Sequence, residues 1–121
     1  MKASEDIVVI DDDATIADLV RSLLIDAQRS AVTSGALEHV AVERPALVIT
    51  DLVTLRTYRP ADARAYVATV RGRFPGTPVL VLTAHAPAAR EADSLGATAV
   101  MEKPFDMDDL LALVERLAPA T

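Results

Sequence analysis

The sequence predicts an α/β fold, a parallel sheet covered by helices on both faces. Three observations carry that prediction. Short aliphatic runs recur along the chain: Ile7-Val8-Val9-Ile10, Leu47-Val48-Ile49, Val79-Leu80-Val81-Leu82 and the weaker Ala99-Val100-Met101, with Ala31-Val32-Thr33 as a marginal further run. They are continuous and partly β-branched, as strands buried on both faces are. Helical patterns fall between them, from an opening strand to a closing helix, which implies right-handed crossovers and a doubly wound sheet.

The elements follow in order. Ile16, Leu19, Val20, Leu23 and Leu24 keep the spacing of an amphipathic helix. Asp13 stands just before it, where an N-cap is expected. Leu37, Val40 and Ala41 outline a shorter helix, with Thr33 or Ser34 as cap and Pro45 as stop. The segment from Arg29 to Arg44 is abbreviated, so the second strand and helix should be short or irregular. Val67, Val70 and Phe74 mark a third helix, ended by Pro75-Gly76-Thr77-Pro78. The Ala-rich stretch before Gly96 reads as a fourth, with Gly96 as its C′ residue. Leu110, Leu113, Val114 and Leu117 form the face of the fifth, and Asp106, Asp108 and Asp109 sit at its start, where the helix dipole favours anions. Leu111 and Ala112 lie beside that stripe and could extend a partner-facing patch.

Composition narrows the function. At 121 residues the chain reads as a single domain, 1–121. It has no cysteine, which excludes disulfides and thiolate metal sites. A net charge of −6, without a cluster of cations or an aromatic ladder, predicts no nucleic-acid partner. The apolar runs are too short for a membrane span, and the acidic N-terminus lacks the pattern of a signal peptide, so no membrane partner and a cytoplasmic location are expected. Arginine supplies ten of the twelve cations; lysine occurs only at Lys2 and Lys103. A lysine inside an arginine background suggests a role for a compact ammonium that a planar guanidinium cannot fill.

The chemistry collects where strands end. "VVIDDDAT" places Asp11, Asp12 and Asp13 directly after the first strand. Like charges about 4 Å apart repel by roughly 4 kcal/mol at an effective dielectric near 20, so something must offset them. Ligands of open α/β sheets bind beyond the carboxyl ends of the strands. Asp51 ends the third strand, Thr83 the fourth, and Lys103-Pro104 the fifth. Several carboxylates, a hydroxyl and an ammonium would therefore share one edge. That set suits a hard divalent cation beside a moving phosphoryl group. Asp13 is explained more simply as the helix cap.

The segments "VVIDDD", "LVITD", "VLVLTA" and "EKPF", in this order and each after its own strand, resemble the receiver domain of two-component response regulators. The resemblance implies a flavodoxin-like, five-stranded sheet of order 2-1-3-4-5 with five helices. It implies a phosphoacceptor at Asp51 that takes its phosphoryl group from a histidine kinase or phosphotransfer protein. It implies Mg2+ held by Asp11, Asp12, Asp51 and the backbone carbonyl of Val53, with Asp12 a direct ligand and Asp11 acting partly through water. Thr83 and Lys103 would bind the phosphoryl oxygens, and the Lys103-Pro104 bond would be cis. Phosphorylation would be reported on the face built from the fourth helix, fifth strand and fifth helix, where a downstream protein or a second copy would dock. With no segment after the fifth helix, the chain reads as a stand-alone receiver or an excised one.

The sequence also departs from the receiver pattern. There is no glycine between Asp51 and Gly72, and Arg56 and Arg59 occupy the loop. Val53 is apolar and cannot orient an attacking water, which predicts a long-lived acyl phosphate. Val100 stands where receivers often carry an aromatic residue that couples to the hydroxyl. His39 and His85 read as surface residues, although His85 lies near the expected site and could affect acyl-phosphate lifetime. Two rival readings remain at this point. One is a receiver-like binding module without phosphorylation. The other is a small haloacid-dehalogenase-like phosphatase, with "DDDAT" as its signature and Asp11 as nucleophile, followed by Thr83 and Lys103.

Overall fold

The computed structural model describes residues 6–52, 59–84 and 95–119. Five parallel strands form one sheet of order β2-β1-β3-β4-β5. They are β1 (Ile7–Ile10), β2 (Ala31–Ser34), β3 (Leu47–Thr50), β4 (Val79–Thr83) and β5 (Ala99–Glu102). The order matches the one implied by the resemblance, and each strand covers its expected aliphatic run. α1 (Ala14–Asp26) follows β1, α2 (Pro60–Arg73) precedes β4, and α3 (Met107–Leu117) follows β5.

Strand side chains alternate between two cores. Val8, Ile10, Val48, Val79 and Val81 pack with Ala63, Val67 and Val70 of α2 and with Phe74. Ile7, Val9, Leu47, Ile49, Leu80 and Leu82 pack with Ala17, Val20 and Leu24 of α1 and with Leu110 and Val114 of α3. Each buried Val, Leu, Ile or Phe side chain contributes on the order of 1.5–3 kcal/mol by leaving water. This two-sided burial is why the strand runs are continuous.

Two helical expectations change. The second helix is only a 3-10 turn, Leu37–His39, preceded by Ala36 without a side-chain cap. Thr33 and Ser34 lie in β2 instead, and the Ser34 hydroxyl donates to the Ala36 carbonyl at 2.6 Å. One turn suffices to bury Leu37 and Val40, and so short a segment cannot repay helix nucleation. In α1 the expected stripe is rotated: Ala17, Val20 and Leu24 are buried, whereas Leu19 is 45% exposed. The fourth helix lies almost wholly outside the described residues. Among those residues there are three α-helices and one 3-10 turn, where five helices were expected. Gly96 has φ +80, as a C′ glycine should.

Asp13 caps α1 as expected, and Asp106 caps α3. Asp13 accepts from the Thr15 and Ile16 amides at 3.0 and 3.4 Å, and Asp106 accepts from Asp108 and Asp109 at 2.8 and 3.2 Å. At the other end of α1, Gln28 takes the left-handed conformation, φ 64. An L side chain pays about 1–2 kcal/mol there, more than glycine's extra chain entropy of roughly 0.5–1 kcal/mol. Gln28→Gly should therefore raise stability by about 0.5–1 kcal/mol. A urea midpoint that stays put or falls would refute this.

No helix among the described residues is long and apolar enough to cross a membrane.

Candidate functional site

Sheet register assembles the site. Ile10 is paired with Ser34 on one side and Thr50 on the other, so β1 and β3 end together. The next residues, Asp11 and Asp51, emerge side by side. Backbone bonds extend the pairing: the Asp11 amide donates to the Ser34 carbonyl at 3.0 Å and the Asp51 amide to the Ile10 carbonyl at 2.9 Å. On the far side Thr83 pairs with Glu102, and the Lys103 amide donates to the Thr83 carbonyl at 2.7 Å. The Lys103-Pro104 bond is cis, as the resemblance implied.

Asp11 is 4% exposed and has a partner at each oxygen. Its Oδ1 accepts from the Asp13 amide at 2.9 Å, and its Oδ2 from Lys103 Nζ at 3.0 Å. The same ammonium lies 3.5 Å from Asp51 Oδ2. Asp51 Oδ1 accepts from the Leu52 amide at 2.8 Å, so the two oxygens of this carboxylate have different neighbours. Exposed Asp12 completes a triad in which Asp11, Asp12 and Asp51 each bring one oxygen within 4.8 Å of the others. Thr83 is fully buried at the end of β4.

The charge balance of this cluster is uneven. Among the described residues three carboxylates face a single ammonium, and hard oxygen donors in this number suit Mg2+ better than a softer metal. Burial raises the Asp51 pKa above its ordinary value; Lys103 opposes the shift and the charge of Asp11 adds to it. A carboxyl with a raised folded pKa stabilises the fold below its unfolded pKa and loses that contribution as pH rises through the folded one. At neutral pH ionised Asp51 thus weighs against the fold unless a cation shares the site.

Asp11, Asp12, Asp51, Thr83 and Lys103, the residues expected from the sequence, all lie at this edge. Asp13 is the cap of α1. Val53, Arg56 and His85 lie outside the described residues. Arg59 is exposed at the start of α2, and His39 is exposed in the 3-10 turn. Val100 packs against the α2-side core. Two residues beside the site were not singled out. Thr50 donates from Oγ1 to the Asp51 carbonyl at 2.7 Å, and Tyr66 Oη lies 2.7 Å from the same Oγ1. The only signal for Thr50 was a hydroxyl closing an otherwise aliphatic run. Tyr66 is one of four aromatic residues in the chain.

Comparison with known proteins agrees with the geometry. Residues 7–115 match the family model of the response regulator receiver domain. The nitrogen assimilation regulatory protein NtrX of Azorhizobium caulinodans is 33% identical over 119 residues, covering 93% of this chain and 26% of that protein. The DNA-binding transcriptional regulator NtrC of Escherichia coli K12 is 34% identical over 114 residues, covering 89% of this chain and 24% of that protein. The chain thus spans about a quarter of the length of these curated relatives. The receiver domain of NtrX from Brucella abortus superposes with a TM-score of 0.74 at 29% identity, over 96% of this chain and 100% of that one. The family match sets aside the haloacid-dehalogenase reading. The chain belongs to the response regulator receiver domain family, the signalling domains of two-component systems, which are not enzymes in their own right.

Proposed function

We propose that Asp51 accepts a phosphoryl group from a histidine kinase or phosphotransfer protein, and that its phosphorylation switches a partner interaction. Residues 1–121 act in this proposal as one receiver unit. The observation that carries it is the position of Lys103 Nζ, in contact with both Asp11 and Asp51 beside a triad of carboxylate oxygens.

Asp11, Asp12, Asp51 and the Val53 carbonyl are the groups proposed to hold Mg2+. When bound, the cation neutralises charge on the phosphoryl oxygens. The chain's own residues do the rest. An Asp51 carboxylate oxygen forms the new bond to phosphorus. The bond from phosphorus to the donor's nitrogen or oxygen breaks, and its electron pair leaves with the donor. The Leu52 amide holds Asp51 Oδ1, while Lys103 faces Oδ2 and balances the incoming charge. Thr83 then donates its hydroxyl proton to a phosphoryl oxygen. The downstream partner, or a second copy, docks on the face that the resemblance implies, that of the expected fourth helix with β5 and α3, the fourth helix lying almost wholly outside the described residues. We assign no nucleic-acid contact to this chain, given its net charge of −6; DNA binding is stated for the much longer NtrC proteins.

Incubation with Mg2+ and a small acyl phosphate, followed by intact mass, tests this. Wild type should gain one phosphoryl group, and Asp51→Asn or chelated wild type none. Equal labelling of Asp51→Asn would overturn the assignment. A folded wild type that never labels would favour the binding-module reading.

A further inference from the structure

We propose that Tyr66, acting through Thr50, is a positioning residue for Asp51. This inference rests on the phosphoacceptor reading above and deepens it. It concerns the peptide group between Asp51 and Leu52, which is held on both edges. Its N–H, the Leu52 amide, donates to Asp51 Oδ1 at 2.8 Å. Its C=O accepts from Thr50 Oγ1 at 2.7 Å. Turning this peptide would swing the amide away from Oδ1 and free the carboxylate to rotate away from Lys103.

Proton counting fixes the direction of the remaining bond. A carbonyl cannot donate, so Thr50 spends its single hydroxyl proton on Asp51. The Tyr66 phenol, 2.7 Å from Thr50 Oγ1, must therefore donate to it. The chain runs Tyr66 O–H to Thr50 O–H to the Asp51 carbonyl, and each bond polarises the next. Burial raises the Tyr66 pKa above its ordinary value, which keeps the phenol protonated for this task. Thr50 is fully buried, so water does not substitute freely for the phenol.

The relay joins two elements. Thr50 is the last residue of β3, and Tyr66 lies on α2 among residues packed against the Val48–Val67 core. Tyr66 thus ties the orientation of the phosphoacceptor to the seat of α2. It touches neither donor nor phosphoryl group, so it acts on placement alone.

The test compares wild type, Tyr66→Phe, Thr50→Val, Thr50→Ser and the Tyr66→Phe/Thr50→Val double variant. Phosphorylation by a small acyl phosphate with saturating Mg2+ gives a maximal rate and a half-saturating donor concentration. Loss of one neutral hydrogen bond should slow the maximal rate about threefold to tenfold in Tyr66→Phe, with half-saturation unchanged. Because the bonds act in series, the double variant should be no slower than Thr50→Val, and Thr50→Ser should restore the rate. The Leu52 amide should exchange faster with solvent in Tyr66→Phe, while the amides of α2 keep their protection. Tyr66→Phe that labels at the wild-type rate, or effects that multiply in the double variant, would overturn the positioning role and leave the phosphoacceptor reading intact. A wild type that takes no label would end both.

Discussion

Lys103→Met should cost the protein about 2–4 kcal/mol of stability when Mg2+ is absent. The methionine keeps the apolar stem and removes only the ammonium. That ammonium is the charged partner of Asp11 Oδ2 at 3.0 Å, and Asp11 is almost wholly buried. Removing one member of a buried pair leaves the other charge without compensation, which is costlier than deleting both. The cost stays below that of a fully buried pair because the Lys103 side chain keeps 17% of its exposure. Two further consequences separate this account from simple loss of packing. Mg2+ should stabilise Lys103→Met more than wild type, because it now neutralises a more negative site. Phosphotransfer to Asp51 should nevertheless slow on the order of tenfold or more, because the cation would not replace the donor proposed to face the phosphoryl group. Urea midpoints with and without Mg2+ check the first part. A midpoint equal to wild type in chelator would contradict it.

Asp12→Asn should weaken Mg2+ binding on the order of tenfold or more and leave the fold in chelator unharmed or slightly firmer. Asp12 is exposed, and its carboxylate shares the triad with Asp11 and Asp51. Neutralising it removes a proposed ligand and also a like-charge repulsion. Asp11→Asn should weaken Mg2+ binding too, but with loss of stability, because it breaks the contact to Lys103. The contrast between adjacent residues is diagnostic. Cation titrations followed by thermal shift give both quantities. Unchanged Mg2+ affinity in Asp12→Asn would remove it from the metal site.

Much of this was legible in the sequence because two-sided burial writes strands as uninterrupted aliphatic runs. Once β1, β3, β4 and β5 were located, the residue after or at each strand end named the site: Asp11, Asp51, Thr83 and Lys103. The adjacent carboxylates take different places: Asp13 caps α1, while Asp11 and Asp12 each bring an oxygen to the cluster with Asp51. What could not be read depends on tertiary context. The rotation that exposes Leu19 and buries Ala17 follows from how α1 sits on the sheet, and hydrophobicity alone ranks leucine above alanine. The 3-10 turn at Leu37–His39 carries the same apolar residues as a short helix would. The Tyr66–Thr50 contact joins residues 16 apart, one on β3 and one on α2, and no periodicity encodes it.

Asp51 is the residue proposed to become phosphorylated. An aspartyl phosphate is reduced by borohydride to homoserine, which marks its position permanently in the chain. After reaction with Mg2+ and a small acyl phosphate, reduction and digestion, mass sequencing should find homoserine at position 51 and aspartate at positions 11, 12 and 13. Homoserine at position 11 with position 51 unchanged would contradict it.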